Sequence, residues 1–388
     1  EAAGEQRGPA GCAAHRRWPG RLGGIEVQRK ILATAVAALT AGLMVYSQTL
    51  ALERDEGFHL LAAQLIGAGK KPYVDFFYQH APLYALLNAA WMSLFGQSWR
   101  AAHVLSALLA GGSVLLVADF VYVRIGDARW KLAAGLTAAL FVALHVSFIR
   151  FATVGQPYAV CLFLMVAAFR LSLGPAPFGA GLAAGASAAS WLLSAPAVAV
   201  LLAWMVVRGP RGKRPRTAAW FLAGAAIPFA PLIWLLWQEP RRVFFDVVEF
   251  HLFYRMLDLP PATGSGIRTL VDWLASVQGL LLAAPAAAAV ALLITRRTSQ
   301  DLAREEFYLC AWLSGGLGLA ITAARPVLFE YFVLMVPFLA ILAAVGIAAI
   351  GSTFFRRFSP SWLAAPLVAL FAVGTARWAA TRDFRFRW

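Results

Sequence analysis

The chain has 388 residues, 61% of them hydrophobic and only 14% charged, with a formal net charge of +15. A soluble domain is nearer a quarter charged, so a water-soluble globular fold is excluded. Apolar runs of about 20 residues recur along the whole length, the signature of membrane-spanning helices, and the short alternating segments of a transmembrane β-barrel are missing.

Residues 1–30 are rich in Gly, Ala and Arg without periodicity and read as a basic cytoplasmic tail. Apolar segments then predict spans at 31–51, 101–123, 131–149, 157–172, 176–190, 191–207, 217–237, 270–294, 307–323, 327–350 and 360–379. The first follows Arg29 and Lys30, but it has the length of a span and no small-x-small cleavage site follows it, so it reads as retained. The piece 82–95 is apolar but too short to cross, and reads as a helix lying in the outer interface. With the amino terminus inside, this assignment places the clusters RGPRGKRPR (208–216) and RRTSQDLAR (296–304) in the cytoplasm. Counting 82–95 as a crossing would put both outside, against the positive-inside rule. The basic excess is thus a topology signal. It does not interleave with exposed aromatics as a nucleic-acid surface would.

The outer loops are then 52–100 and 238–269, with short polar ones around 150–156 and 325–331, and a tail at 380–388. The expectation is one all-α polytopic domain, 31–379, of about eleven transmembrane helices with interfacial helices in the first outer loop. Cys12, Cys161 and Cys310 are too far apart for a metal motif or a disulfide framework and read as packing residues. His103 and His145, inside spans, are expected to bond a neighbouring helix, and Asp119 and Arg170 to reach water at inner span ends. The stretch RRVFFDVVEFHLFYRM (241–256) reads as an amphipathic interfacial helix that could roof a cavity.

The first outer loop opens with the longest polar island in the first half of the chain, LERDEGFHLLAAQLIGAGKKPYVDFFYQHAPLY. A carboxylate pair beside a span is costly unless water or a polar ligand meets it, which makes Asp55 and Glu56 the candidate acid–base residues. Being adjacent, they point in different directions, whereas His59 follows Asp55 by four residues and shares its face if a helix starts here. Both acids also suit the positive end of such a helix, and capping is compatible with catalysis. Lys70 and Lys71 are candidates for a phosphate or for lipid headgroups. Tyr73, Asp75, His80 and Tyr84 are candidate substrate contacts, the aromatics also fitting an interfacial belt.

A first span ending in Asp-Glu, then a helix, then Gly-x-x-Pro-Tyr-x-Asp-Phe, then a Pro-x-Tyr interfacial helix, resembles the GT-C superfamily of polyprenyl-phosphate-sugar glycosyltransferases. The likeness is to the branch of protein O-mannosyltransferases, lipid A aminoarabinose transferases and bacterial core-sugar transferases. It covers about 31 to 350 and includes the late segment ARPVLFEYFVLMVPFLAILAAVG. The resemblance implies a multi-pass protein of a bacterial inner membrane with an outward-facing site, in which Asp55 is the essential carboxylate with Glu56 beside it. It implies a polyprenyl-phosphate sugar as donor and a lipid, glycan or protein hydroxyl as acceptor.

Two departures stand out. Gln156 occupies the place of a second acid that the family often has, and Gly57 and Phe58 stand where some members carry a base. Gln can bond a sugar but is a poor base or divalent-metal ligand, so a metal-assisted reaction is disfavoured and no cofactor is required. One carboxylate is enough for a single displacement, because a polyprenyl phosphate leaves readily and needs charge stabilisation, not protonation. Arg150, Arg325, Lys70 and Lys71 are candidates for that cationic clamp, with Tyr331 donating a hydrogen bond, and inversion at the anomeric carbon is expected. The alternatives are a transporter or flippase of lipid-linked sugars, which calls for ionisable residues deep in the spans or broken helices in repeated halves, and an inactive scaffold with the same fold.

Overall fold

A computed structural model of the chain describes residues 19–52, 54–254, 266–295 and 305–380. The expected terminal tails lie largely outside the described residues, as does Cys12. Within them every named element is helical. Helix α1 (Pro19–Thr49) starts well before the predicted span. The first outer loop holds α2 (Arg54–Gly67) and the short α3 (Leu83–Phe95). Then follow α4 (Trp99–Arg124), α5 (Ala128–Ala143), α6 (Val146–Phe151), α7 (Tyr158–Ser172), α8 (Pro177–Ser190) and α9 (Ala195–Arg208). A basic turn leads to α10 (Arg214–Ala226) and α11 (Ala230–Gln238), and α12 (Pro240–Phe244) runs into π-helical turns over Phe245–Tyr254. The chain closes with α13 (Gly266–Ala275), α14 (Val277–Ile294), α15 (Glu306–Ile321), α16 (Val336–Phe354) and α17 (Pro360–Ala380).

Local chemistry sets several of these boundaries. The Ser98 hydroxyl accepts from the Ala101 N–H to start α4, Asp127 accepts from the Arg129 N–H to start α5, and Ser276 accepts from the Gly279 N–H to start α14. The predicted span 131–149 is broken at Leu144–His145, where His145 accepts from the Ser147 N–H and restarts the chain as α6. His145 thus caps its own helix, where the sequence suggested a bond to a neighbour.

Six helical segments are long and apolar enough to cross a membrane by length and composition: Glu26–Thr49, Trp99–Arg124, Arg211–Gln238, Val277–Ile294, Phe329–Phe354 and Pro360–Ala380. The chain is a multi-pass membrane protein. The other predicted spans are also helical but shorter. Of the Phe329–Phe354 window, 94% is buried inside the protein against 11% for Pro360–Ala380. The first is therefore the axis of the bundle, with α5, α14 and α15 packed on it, and the second lies at its rim.

Several polar groups of the bundle pair across helices, as a medium poor in water favours. Arg170 of α7 donates to Asp119 of α4 at 2.7 Å, and both side chains stay partly exposed. Gln278 of α14 accepts from the Val146 N–H and donates to the carbonyls of Leu144 and Phe371 and to the Thr375 hydroxyl. One side chain so ties α14 and α17 to the break between α5 and α6. Helices α8 and α10 pack backbone to backbone along the glycines and alanines of GAGLAAGASAA. A Cβ added at Gly185 would press on the Ala225 carbonyl oxygen and stand 2.6 Å from the Ala225 Cα. We predict that Gly185→Leu forces these helices apart and costs about 1–3 kcal/mol or more, read as a lower midpoint in a thermal unfolding assay in detergent, whereas Gly42→Leu, in open space, leaves the midpoint unchanged.

Candidate functional site

Helix α2 starts at Arg54, so Asp55 and Glu56 fall in its first turn and diverge. Asp55 is exposed and lines a cavity of about 110 Å³ together with His59, one turn on, and Gln156, Tyr158, Trp191 and Tyr331. Glu56 points the other way and is fully buried. Its Oε1 accepts from the Gly155 N–H at 2.8 Å and lies 2.5 Å from Nε2 of the equally buried His103. Nδ1 of His103 stands 2.6 Å from the Ser47 carbonyl, which can only accept, so Nδ1 carries a proton. Glu56 and His103 thus meet as a buried pair. This links α2 to α4, to the last turn of α1, and to the loop that carries Gln156. The fit at Gly155 is close: an added Cβ would stand 2.7 Å from Oε1 of Glu56.

The cavity continues into a larger one of about 510 Å³ that shares the walls Gln79, His80, Trp191 and Tyr331 and reaches Arg325. Arg325 sits beyond the end of α15, and Tyr331 in the 3-10 turns Phe329–Met335 that precede α16. Trp191, at the break between α8 and α9, is edge-on to Tyr158 (centroids 4.5 Å apart) and to Tyr331 (5.3 Å). The continuous cleft therefore has carboxylates, Asp55 and Glu330, at one end, a guanidinium at the other, and aromatic walls between.

Burial lowers His59 to about 3, so it is neutral near pH 7. Its Nδ1 is 3.1 Å from the Tyr78 hydroxyl, and Tyr84, also buried, stands edge-on to its ring at 5.2 Å. His80 lies against both His59 (5.1 Å) and His251 (5.8 Å). Together these rings form a hydrogen-bonding wall beside Asp55.

The segment 238–251 fastens the first outer loop over this cleft. Lys71 Nζ donates to the Gln238 side-chain oxygen at 3.0 Å, and Arg242 donates to the Val74 carbonyl at 2.6 Å. Asp246 accepts from the Tyr78 N–H at 3.0 Å, and His251 donates to the Gln79 carbonyl at 2.6 Å. Gln238 ends α11, and after the break at Glu239 Arg242 and Asp246 follow four residues apart in α12 and the π-helical turns, with His251 five further on. Burial pushes the Asp246 carboxyl up from its ordinary range, against the Tyr78 N–H and the Arg242 charge, which hold it down. Val247, His251 and Leu252 line the cleft, so the amphipathic stretch at 241–256 does roof a cavity, as far as residue 254, where the described residues pause.

The structure thus brings together Asp55, His59, His80, Gln156, Arg325 and Tyr331, with Tyr84 packed behind His59. It sets the other candidates apart. Lys70 and Lys71 are exposed on the loop, and the Lys71 ammonium lies over the Trp234 ring at 5.2 Å. Asp75 accepts from the Lys71 N–H at 2.7 Å, and the Tyr73 hydroxyl donates to the His80 carbonyl at 2.6 Å. These two hold the loop in shape, with Tyr73 itself at φ 67°. Arg150 lines a neighbouring cavity, with Arg377, Gln278 and Trp273, that meets the Asp55 cavity at Glu330. Sequence reasoning missed Glu330, Tyr158, Trp191 and His251. The first could have been found as an acid beside Tyr331 in an otherwise apolar segment. The others are aromatic residues in runs full of them, and only the fold selects them.

Comparison with known proteins gives the fold but no sequence relative. No protein-family model matches the chain, and no curated protein matches it by sequence. Among solved structures the chain is similar to ArnT from Cupriavidus metallidurans bound to undecaprenyl phosphate, with a TM-score of 0.60 at 17% identity over 89% of this chain and 75% of that one. The apo state of the same protein gives 0.58 at 15% identity, over 88% and 75%. The likeness is one of fold, and the all-α polytopic bundle expected from the sequence is the architecture found.

Glu56→Ala would leave the His103 ring and the Gly155 N–H buried without their partner, a cost of about 3–5 kcal/mol. We expect a clear drop in thermal stability. Glu56→Gln keeps an oxygen for Gly155 and should lose much less in the same melting assay.

Proposed function

We propose that this protein is a membrane glycosyltransferase that takes a sugar from a polyprenyl-phosphate donor and passes it to a hydroxyl of a lipid, glycan or protein. The observation that carries this reading is the single cleft with Asp55 at one end and Arg325 at the other. The likeness to a structure titled as ArnT bound to undecaprenyl phosphate supports the choice of donor.

In this mechanism the acceptor hydroxyl enters beside Asp55. As its oxygen attacks the anomeric carbon, Asp55 removes its proton, a contribution of about 10²–10⁴ in rate. The bond from the anomeric carbon to the phosphate oxygen breaks, and its electron pair leaves with polyprenyl phosphate. Arg325 and the Tyr331 hydroxyl meet the charge that develops there, in a partly enclosed site where such contacts count for more than in water. One in-line displacement inverts the anomeric centre. Gln156, His59 and His80 are placed to bond sugar hydroxyls, the neutral His59 as a hydrogen-bonding group and not as an acid. Glu56 holds Asp55 in place from behind. No step needs a metal, since Asp55 handles the proton and Arg325 the phosphate charge.

Three helices support a cleft that faces outward. Helices α7, α9 and α15 each have one end at the cleft, near Tyr158, Leu193 and Ala323, and the other near Ser172, Arg208 and Glu306. At 14 to 16 residues each they carry the chain roughly 21–24 Å, most of a bilayer core. The basic turn 208–216 is at the far end, so the positive-inside rule puts it in the cytoplasm and the cleft outside, in keeping with a bacterial inner membrane.

The test is Asp55→Asn in nanodiscs supplied with polyprenyl-phosphate pentoses and hexoses, with release of free polyprenyl phosphate followed by mass spectrometry. The expected result is a fall of about 10²–10⁴ in release rate with donor still bound. Wild-type release from Asp55→Asn would overturn the mechanism. Translocation of intact lipid-linked sugar by the unaltered protein, with its glycosidic bond never broken, would overturn the function.

A further inference from the structure

At the end of the bundle away from Asp55 lies another cavity, of about 580 Å³, which the reaction does not use. The turn between α7 and α8, the end of α9 and the start of α10 enclose it. Arg208, Lys213 and Arg216 line it, with Trp204 and Trp220 and, among the described residues, the single acid Glu306.

The cations divide by what holds them. Arg208 pairs with Glu305 and lies over the Trp204 ring at 5.3 Å. Glu306 is engaged by Arg124 at 3.2 Å. Arg214, which does not line the cavity, donates to the carbonyls of Val207 and Gly209 and so fixes the shape of the turn. Lys213 and Arg216 form no ion pair among the described residues. Two cations, on the turn and in the first helical turn of α10, thus line a cavity whose one acid among the described residues is already committed.

The aromatic members define the rest of the ligand. Trp220 is half exposed, and its helix belongs to a segment only 28% buried in the protein, so this side of the cavity is open to lipid. Tryptophans at such a level mark the interface between headgroups and acyl chains. A soluble anion would satisfy the cations but not this wall. We propose that the cavity binds an anionic phospholipid, its phosphate between Lys213 and Arg216 and its upper acyl chain along Trp204 and Trp220. A basic pocket between transmembrane helices on the cytoplasmic side is the kind of site that retains such headgroups. The site does not depend on the transfer reaction: it would stand if the Asp55 mechanism failed, and fall if only its own cations proved irrelevant.

Native mass spectrometry of the purified full chain, titrated with phosphatidylglycerol or phosphatidylcholine, tests this. The wild type should retain phosphatidylglycerol in preference to phosphatidylcholine. Lys213→Gln with Arg216→Gln should weaken that retention roughly tenfold or more, with unchanged thermal stability. Lys213→Arg with Arg216→Lys should restore it. Arg356→Gln with Arg357→Gln, which removes two exposed cations just past α16, should have no effect. Equal loss in both glutamine pairs would mean diffuse surface attraction and overturn the site, as would no loss in the first pair. Displacement of the lipid by millimolar inorganic phosphate would overturn the lipid assignment.

Discussion

A carboxylate buried where three helices meet organises this protein. Inside the bundle Glu56 is met by His103 and the Gly155 N–H, and such partners offset the cost of burying a carboxylate. That pairing fixes the rotation of α2 about its axis. Once Glu56 is turned inward, Asp55, its neighbour, must turn toward the cleft, and His59 follows one helical turn later. The same contact steadies the loop bearing Gln156, so one buried interaction sets both sides of the cavity floor.

The opposite wall is built by covering rather than by burial. The polar face of 238–251 replaces water for the backbone and side chains of the first outer loop at Lys71, Val74, Tyr78 and Gln79. A loop of that length near a membrane would otherwise carry unsatisfied polar groups. Its apolar neighbours Phe244 and Phe253 stay exposed, as expected of an element whose other face meets lipid. The roof, the loop beneath it and the end of α15 thus enclose a cleft open enough for a long-chain substrate and closed enough to strengthen charge–charge contacts.

Much of this architecture is legible in the sequence because the membrane imposes long-period rules. Apolar length and the bias of Arg and Lys identify the helical segments and argue for keeping Leu83–Phe95 as a short non-crossing helix. Asp55 and His59 could be placed on one face because a helix begins at Arg54, and that needs only local pattern. The fate of Glu56 could not be read, because its partner His103 is 47 positions further along the chain, and only the packing of α4 on α1 and α2 brings it near. Lys70 and Lys71 looked like phosphate ligands for the same reason: Gln238 and Trp234, which engage Lys71, come from a distant segment. Arg150 lines a neighbouring cavity and not the one at Asp55; it follows the backbone break at His145, which composition does not disclose. The shorter helices mark a limit of span counting, since Ala128–Ala143 and Pro177–Ser190 are helical without the length of a full crossing.

The account rests on a proton-accepting carboxylate and a phosphate-binding guanidinium sharing one cleft. A cryo-EM structure of the protein with a non-hydrolysable polyprenyl-phosphate sugar bound tests this most directly. The account predicts the phosphate within hydrogen-bond distance of Arg325 and the Tyr331 hydroxyl, with the sugar's anomeric carbon turned toward Asp55. A phosphate seated instead beside Arg150 and Arg377, with the sugar out of reach of Asp55, would contradict it.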